Sequence, residues 1–215
     1  MKNFFVLMCL LSTVLMTAQT NRTDGNAAGV SENMLKSARG GIGNFGQSAY
    51  VFNKAKRAEG SVHLFKGWKN AAVIHTSDGQ KFSLRNINLN LEANTFESQI
   101  GQDSLFTFNF NNIKEVVVNG KSFSNYYYNG ESRVFQSLHV QGGKELLKGY
   151  KVELIKGSAN PMLNRSTDKY VQKDYYYIRE NDQIKSFKLR KKNVLSLVDG
   201  NETLAKQIMK RAKEN

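Results

Sequence analysis

Residues 60–123 constrain the fold of this chain more than any other stretch, because short runs of alternating apolar and polar residues are punctuated there by glycine turns. Residues 71–76 and 81–89 flank Ser77-Asp78-Gly79-Gln80, and residues 113–118 run into Asn119-Gly120. Asp-Gly or Asn-Gly between alternating arms signals a tight hairpin, since such turns need positive φ. Residues 62–65 read as a further short apolar run. In residues 81–89 the apolar side chains fall on Phe82 and Leu84, then slip by one to Ile87 and Leu89, which reads as a β-bulge.

The same pattern continues along the chain. Phe106, Phe108 and Phe110 alternate onto one face, and Asn129-Gly130 separates Tyr126-Tyr127-Tyr128 from residues 133–138. Tyr150, Val152 and Leu154 alternate next, and Glu180-Asn181-Asp182-Gln183 joins residues 175–178 to 184–189. Residues 157–170, with the only proline, read as a long loop. About ten to twelve short strands at near-regular spacing predict a mainly β fold. The expected form is an antiparallel sandwich, roll or partly open barrel with a short C-terminal α-helical segment.

That final segment changes period. Asp199-Gly200-Asn201-Glu202 reads as a capping box, and Leu204 and Ile208 are spaced by four with Ala205, Met209 and Ala212 beside them. A shorter helical piece is expected over 193–198. Lys206, Lys210, Arg211 and Lys213 gather near the helix end, where cations suit its dipole.

At the other end, Met1-Lys2-Asn3 precedes a nearly continuous apolar run over residues 4–16, followed by Thr17-Ala18-Gln19. This is the three-part form of a secretory signal, too short to span a bilayer, with cleavage expected after Ala18. The expected organisation is a signal peptide (1–18), a flexible glycine-rich leader (19–48), an antiparallel β domain (49–190) and a basic helical tail (191–215). Gly41, Gly43 and Gly46 spell a Gly-x-Gly-x-x-Gly pattern, but without a strand before it and a helix after it they make no nucleotide cradle. Cleavage would remove Cys9, the sole cysteine, leaving no disulfide and no cysteine ligand or nucleophile.

Net charge is +13, and only Lys2 leaves with the signal, so the mature chain would carry +12. Nine basic residues against three acidic ones lie from Lys185 onward. Such a field favours anionic partners.

Two regions are similar to known sequences. Gly60-Ser61-Val62-His63-Leu64-Phe65, then Trp68 and the Asp78-Gly79 hairpin, resemble the opening of a group of uncharacterised exported proteins of Bacteroidetes-type bacteria. Residues 175–178 with 188–195 and Ile208 resemble their aromatic strand, Lys-rich link and basic helical tail. His63 stands where that group commonly has an aromatic residue. The resemblance implies export and lineage and carries over no catalytic residue.

Catalytic constellations are sparse. His63, His75 and His139 show no metal-ligand spacing, there is no Gly-x-Ser-x-Gly elbow, and neither a metal nor a cofactor is expected. The expectation is therefore a non-enzymatic protein of the cell envelope, periplasmic, outer-membrane-associated or extracellular, with no transmembrane segment in the mature chain. Its partner would be an anionic envelope component (lipid head group, lipopolysaccharide or acidic glycan) or an envelope protein, with nucleic acid disfavoured by the compartment. The expected contact residues are Tyr126, Tyr127, Tyr128, Lys206, Lys210, Arg211 and Lys213. One alternative is a carrier of a lipid or other apolar ligand inside a curled sheet lined by Phe82, Phe96, Phe106, Phe108 and Phe110. Another is an envelope hydrolase, which would need a cleft uniting Glu92, Glu97, Asp103 or His139.

Overall fold

A computed structural model of the protein describes residues 46–50, 58–100, 104–157 and 167–214. The expected signal peptide and most of the expected leader lie outside the described residues, as does Asp103. The strands are β1 (Gly46–Tyr50), β2 (Ala58–Glu59), β3 (Ala72–Thr76), β4 (Lys81–Leu84), β5 (Ile87–Asn90), β6 (Thr95–Gln99) and β7 (Ser104–Phe108). They continue with β8 (Ile113–Val118), β9 (Lys121–Tyr128), β10 (Glu131–Gln141), β11 (Lys144–Ile155), β12 (Asp168–Glu180) and β13 (Gln183–Ser186). Two helices close the chain, α1 (Lys191–Leu197) and α2 (Glu202–Lys213).

A small sheet has the order β1-β7-β6-β5 and a large one the order β13-β12-β11-β10-β9-β8-β3-β4. All pairings are antiparallel except that of β2, which lies parallel to β12. The fold is mainly β as expected, and the sheets do not close into a barrel. One apolar cluster draws Ile87, Leu89, Phe96, Phe106 and Phe108 from the small sheet and Ile74, Leu84, Val116, Phe123 and Val134 from the large one. The two sheets thus share a core.

The hairpins form where the turn chemistry placed them. Asn119 and Gly120 both take positive φ (50° and 78°) between β8 and β9, and Asn129 and Gly130 (52° and 85°) do so between β9 and β10. Three expectations about the strands and their limits need correction. The slip in residues 81–89 is not a bulge. Arg85 and Asn86 carry the chain out of the large sheet at β4 and into the small one at β5, so Leu84 and Ile87 both reach the shared core. The expected leader also runs too far, because its last residues, from Gly46, belong to β1 and pair with β7. The long loop ends earlier than expected, since Asp168 already begins β12.

Residues 62–65 are no regular strand. They run along β5, the edge of the small sheet, with Leu64 N–H donating to Leu89 O and Leu91 N–H to Val62 O, both at 2.9 Å. The buried Asn88 amide acts there as a substitute peptide group. Its Oδ1 accepts from Phe65 N–H (3.0 Å), and its Nδ2 donates to Phe65 O (2.9 Å) and Gly67 O (3.0 Å). Backbone groups that a strand would pair are satisfied by one side chain, so the segment can bend.

The helices pack on the opposite end of the large sheet. Val194 and Val198, with Ala205, Ile208 and Ala212 of α2, bury against Leu138 and Leu146. The expected capping box does not form. Asp199 (φ 51°) and Gly200 (φ 83°) close the end of α1 instead, with Gly200 N–H on Leu195 O at 2.8 Å. Asn201 then caps α2, its side chain accepting from Leu204 N–H at 3.0 Å.

Candidate functional site

The repeat that buries one side of α2 exposes its charges on the other. Ala205, Ile208 and Ala212 face the sheet, whereas Lys206, Lys210 and Lys213 recur at i, i+4 and i+7 and so share one exposed stripe. At 1.5 Å per residue the three span about 10 Å of helix axis. Arg211 is exposed on another flank of the same turn. Lys188, Arg190, Lys191 and Lys192 extend the positive charge through the link into α1, all of them exposed. Lys191 approaches Glu202 at 3.6 Å. None of the other basic residues from Lys185 onward has a carboxylate partner among the described residues.

Three side chains of the sheet fix this layer by its carbonyl end. Lys148 Nζ (2.8 Å) and the Tyr176 hydroxyl (3.1 Å) both donate to Ala212 O, and Lys121 Nζ donates to Glu214 O at 3.1 Å. Cations at the negative end of a helix dipole are favourable. Lys148 has no solvent exposure and pairs with Asp174 at 3.0 Å. Burial, then the Lys148 ammonium nearby, holds Lys121 below the usual lysine range.

The expected tyrosine contacts lie elsewhere. Tyr126 and Tyr128 share a face, as strand alternation requires, and it is the face turned away from the helices, with Phe135, Leu147 and Tyr177. The Tyr126 ring sits between Phe135 (centroids 6.3 Å) and the Arg179 guanidinium (4.3 Å), and its hydroxyl donates to Glu145 at 3.0 Å. Burial and the Glu145 carboxylate push its phenol pKa upward. Phe135 and Tyr177 close over Gly149, where an added Cβ would meet Tyr177 Cε2 at 3.0 Å. The ring faces are therefore engaged within the protein. Charges on this side also cancel, through Arg133–Glu131, Arg179–Glu145, Arg179–Asp182 and Lys173–Glu153. Tyr127 points the other way and is 74% exposed. The structure thus separates Tyr126 and Tyr128 from Lys206, Lys210, Arg211 and Lys213, placing the two sets on opposite faces of the large sheet.

The remaining candidate residues are placed as follows. Phe82, Phe96, Phe106 and Phe108 are buried in the shared core and Phe110 packs against it, with Phe96 in contact with both Phe110 and Phe123. Glu92 is exposed, and His139 bonds Gln141 at 3.0 Å. Glu97 is buried and meets a different histidine from the one considered in the hydrolase reading: His63 Nε2 lies 2.8 Å from its Oε2. No group of three or more metal-ligating side chains forms among the described residues. No helix among them is long and apolar enough to cross a membrane. The chain matches no protein-family model, no curated protein and no solved structure.

Proposed function

We propose that this is an exported protein of the cell envelope that binds an anionic envelope component through its basic helical layer. One observation carries the reading. Lys206, Lys210 and Lys213, with no carboxylate partner among the described residues, form a cationic stripe, continued by the link into α1, on a helix fixed at its far end by three side-chain bonds. An aligned row of uncompensated ammonium groups on a rigid support recognises phosphate or carboxylate groups with little ordering penalty. The apolar run of residues 4–16 and the resemblance to exported proteins support the compartment.

The test is co-sedimentation with vesicles containing phosphatidylglycerol, beside lipopolysaccharide and an acidic polysaccharide as separate arms. The expected result is salt-sensitive binding to at least one anionic probe and none to neutral phosphatidylcholine. The triple variant K206Q/K210Q/K213Q should weaken it about tenfold or more, at about 1 kcal/mol per cation near an anionic surface. Undiminished binding by that variant would remove the proposal.

A further inference from the structure

A hydrogen-bonded chain of side chains lies on the face of the small sheet turned away from its phenylalanine side. Asn90 on β5 and Glu97 on β6 share that face by strand alternation, and His63 pairs with Asn90 as an isolated bridge. Asn90 Nδ2 donates to Glu97 Oε1 at 2.9 Å, and His63 Nε2 stands 2.8 Å from Glu97 Oε2. On its other side, His63 Nδ1 is 3.5 Å from Ser61 Oγ. The chain runs from the half-buried Asn90 amide through the buried Glu97 carboxylate to the half-buried Ser61 hydroxyl.

Its proton arrangement follows from the donors. An ionised Glu97 can only accept, so the hydrogen of a neutral His63 sits on Nε2 and the lone pair of Nδ1 faces Ser61. Ser61 Oγ already accepts the main-chain N–H of His63 at 3.0 Å, which leaves its own hydrogen for Nδ1. Gln172 Nε2 holds the His63 carbonyl at 2.6 Å, and the Trp68 ring meets the imidazole edge-on at 4.8 Å between centroids. The imidazole is therefore fixed by its backbone, by a carboxylate and by an aromatic wall. Hydroxyl, base and orienting acid are the three roles of nucleophilic acyl transfer, and a nucleophile–base distance is often longer before substrate binds.

We infer that Ser61, His63 and Glu97 form a nucleophile, a general base and a positioning carboxylate for the hydrolysis of carboxylic esters. Ser61 Oγ attacks the ester carbonyl carbon while its proton passes to His63 Nδ1. The tetrahedral adduct collapses as the carbon–alkoxide bond breaks and His63 returns that proton to the leaving alcohol. Water, deprotonated by His63, then attacks the acyl carbon; the acyl–Ser61 bond breaks, His63 returns the proton to Ser61 Oγ, and the acid is released. The Glu97 carboxylate stabilises the imidazolium formed in each half. Trp68 supplies an apolar wall suited to the acyl or aryl part of the substrate. This inference departs from the expectation of a non-enzymatic protein and does not depend on the basic layer.

The test uses the full chain with a fluorophosphonate probe, then p-nitrophenyl butyrate. Covalent labelling should map to the peptide carrying Ser61 and vanish in Ser61→Ala, with the binding to anionic probes unchanged. His63→Ala should lower ester hydrolysis by about 100-fold or more. Glu97→Gln should move the acidic limb of the pH–rate profile to lower pH as well as lowering the rate, a displacement that a purely structural carboxylate would not cause. Absence of labelling, labelling that persists in Ser61→Ala, or hydrolysis equal in wild type and Ser61→Ala would each overturn the assignment.

Discussion

Lys148 and Ala212 are joined by a 2.8 Å hydrogen bond, in which a fully buried ammonium on β11 donates to a carbonyl of the last turn of α2. The same ammonium pairs with Asp174 on the neighbouring strand at 3.0 Å. A buried cation thus ties the helical layer to the sheet.

The two ends of that pair should respond unequally to substitution. Lys148→Met leaves Asp174, whose side chain is 27% exposed, able to regain water, and Ala212 O keeps the Tyr176 hydroxyl. Its cost should be about 1.5–3 kcal/mol, that of a charged hydrogen bond. Asp174→Asn removes the carboxylate facing a cation that has no solvent contact, and should cost about 3 kcal/mol or more. Urea unfolding of both variants measures the difference. The reverse order would mean that the charge of Lys148 is compensated chiefly from elsewhere.

Gly149→Ala should destabilise the protein by about 1–3 kcal/mol, as overpacking does. The new methyl would stand 3.0 Å from Tyr177 Cε2 and 3.3 Å from Phe135 Cδ1, so both rings would have to give by a few tenths of an ångström in a packed cluster. Loss of near-ultraviolet circular dichroism from the tyrosines should accompany the lower urea midpoint.

Asn88→Ala strands the backbone N–H and carbonyl of Phe65 together, whereas the Gly67 carbonyl keeps the Asn70 amide at 2.7 Å. With about 1–3 kcal/mol for each buried group left unpaired, a loss of roughly 2–4 kcal/mol is expected. Hydrogen exchange should show it first at the Phe65 amide, ahead of the β5–β6 pairing.

Stability should fall above about pH 10. Burial raises the phenol pKa of Tyr150, Tyr126, Tyr176 and Tyr177 above the ordinary value of 10.0, with the carboxylates of Asp174 or Glu145 adding to it for the first three. A raised value means the folded state holds its proton more tightly than the unfolded chain. The stabilisation is then fully present below pH 10 and is lost as the unfolded tyrosines ionise above it. Absorbance at 295 nm should show these phenols ionising late, together with a urea midpoint that drops between about pH 9 and pH 12. Tyr150→Phe should lessen the drop. Ionisation of every tyrosine in the folded protein near pH 10 would contradict the burial argument.

Much of the fold was legible because it is written locally. Asn119-Gly120 and Asn129-Gly130 marked their hairpins through the positive φ that both residues take, and at Asp78-Gly79 the glycine alone does so (φ 84°). Alternation separated Tyr126 and Tyr128 from Tyr127, and spacing by four found the buried side of α2. The exposed lysines of the candidate anion surface followed from the same helical period.

What was not legible is a matter of partners rather than of elements. The slip between Leu84 and Ile87 looks the same in sequence whether a strand bulges or passes to another sheet, since both keep the apolar residues inward. Residues 62–65 carry strand-like residues, but their hydrogen bonds go to an edge strand and to the Asn88 amide. His63 and Glu97 are separated by 34 positions and Lys148 and Ala212 by 64, and no local period reports such distances. The sequence by itself determined where the chain turns, which side chains face inward, and that its end is a cationic helix. Tertiary structure alone decided that the helix end rests on a buried lysine and that a serine, a histidine and a glutamate meet. Those contacts depend on how α2 packs on the large sheet and on how residues 61–64 lie along the edge of the small one, and both are set by long-range packing rather than by any local period.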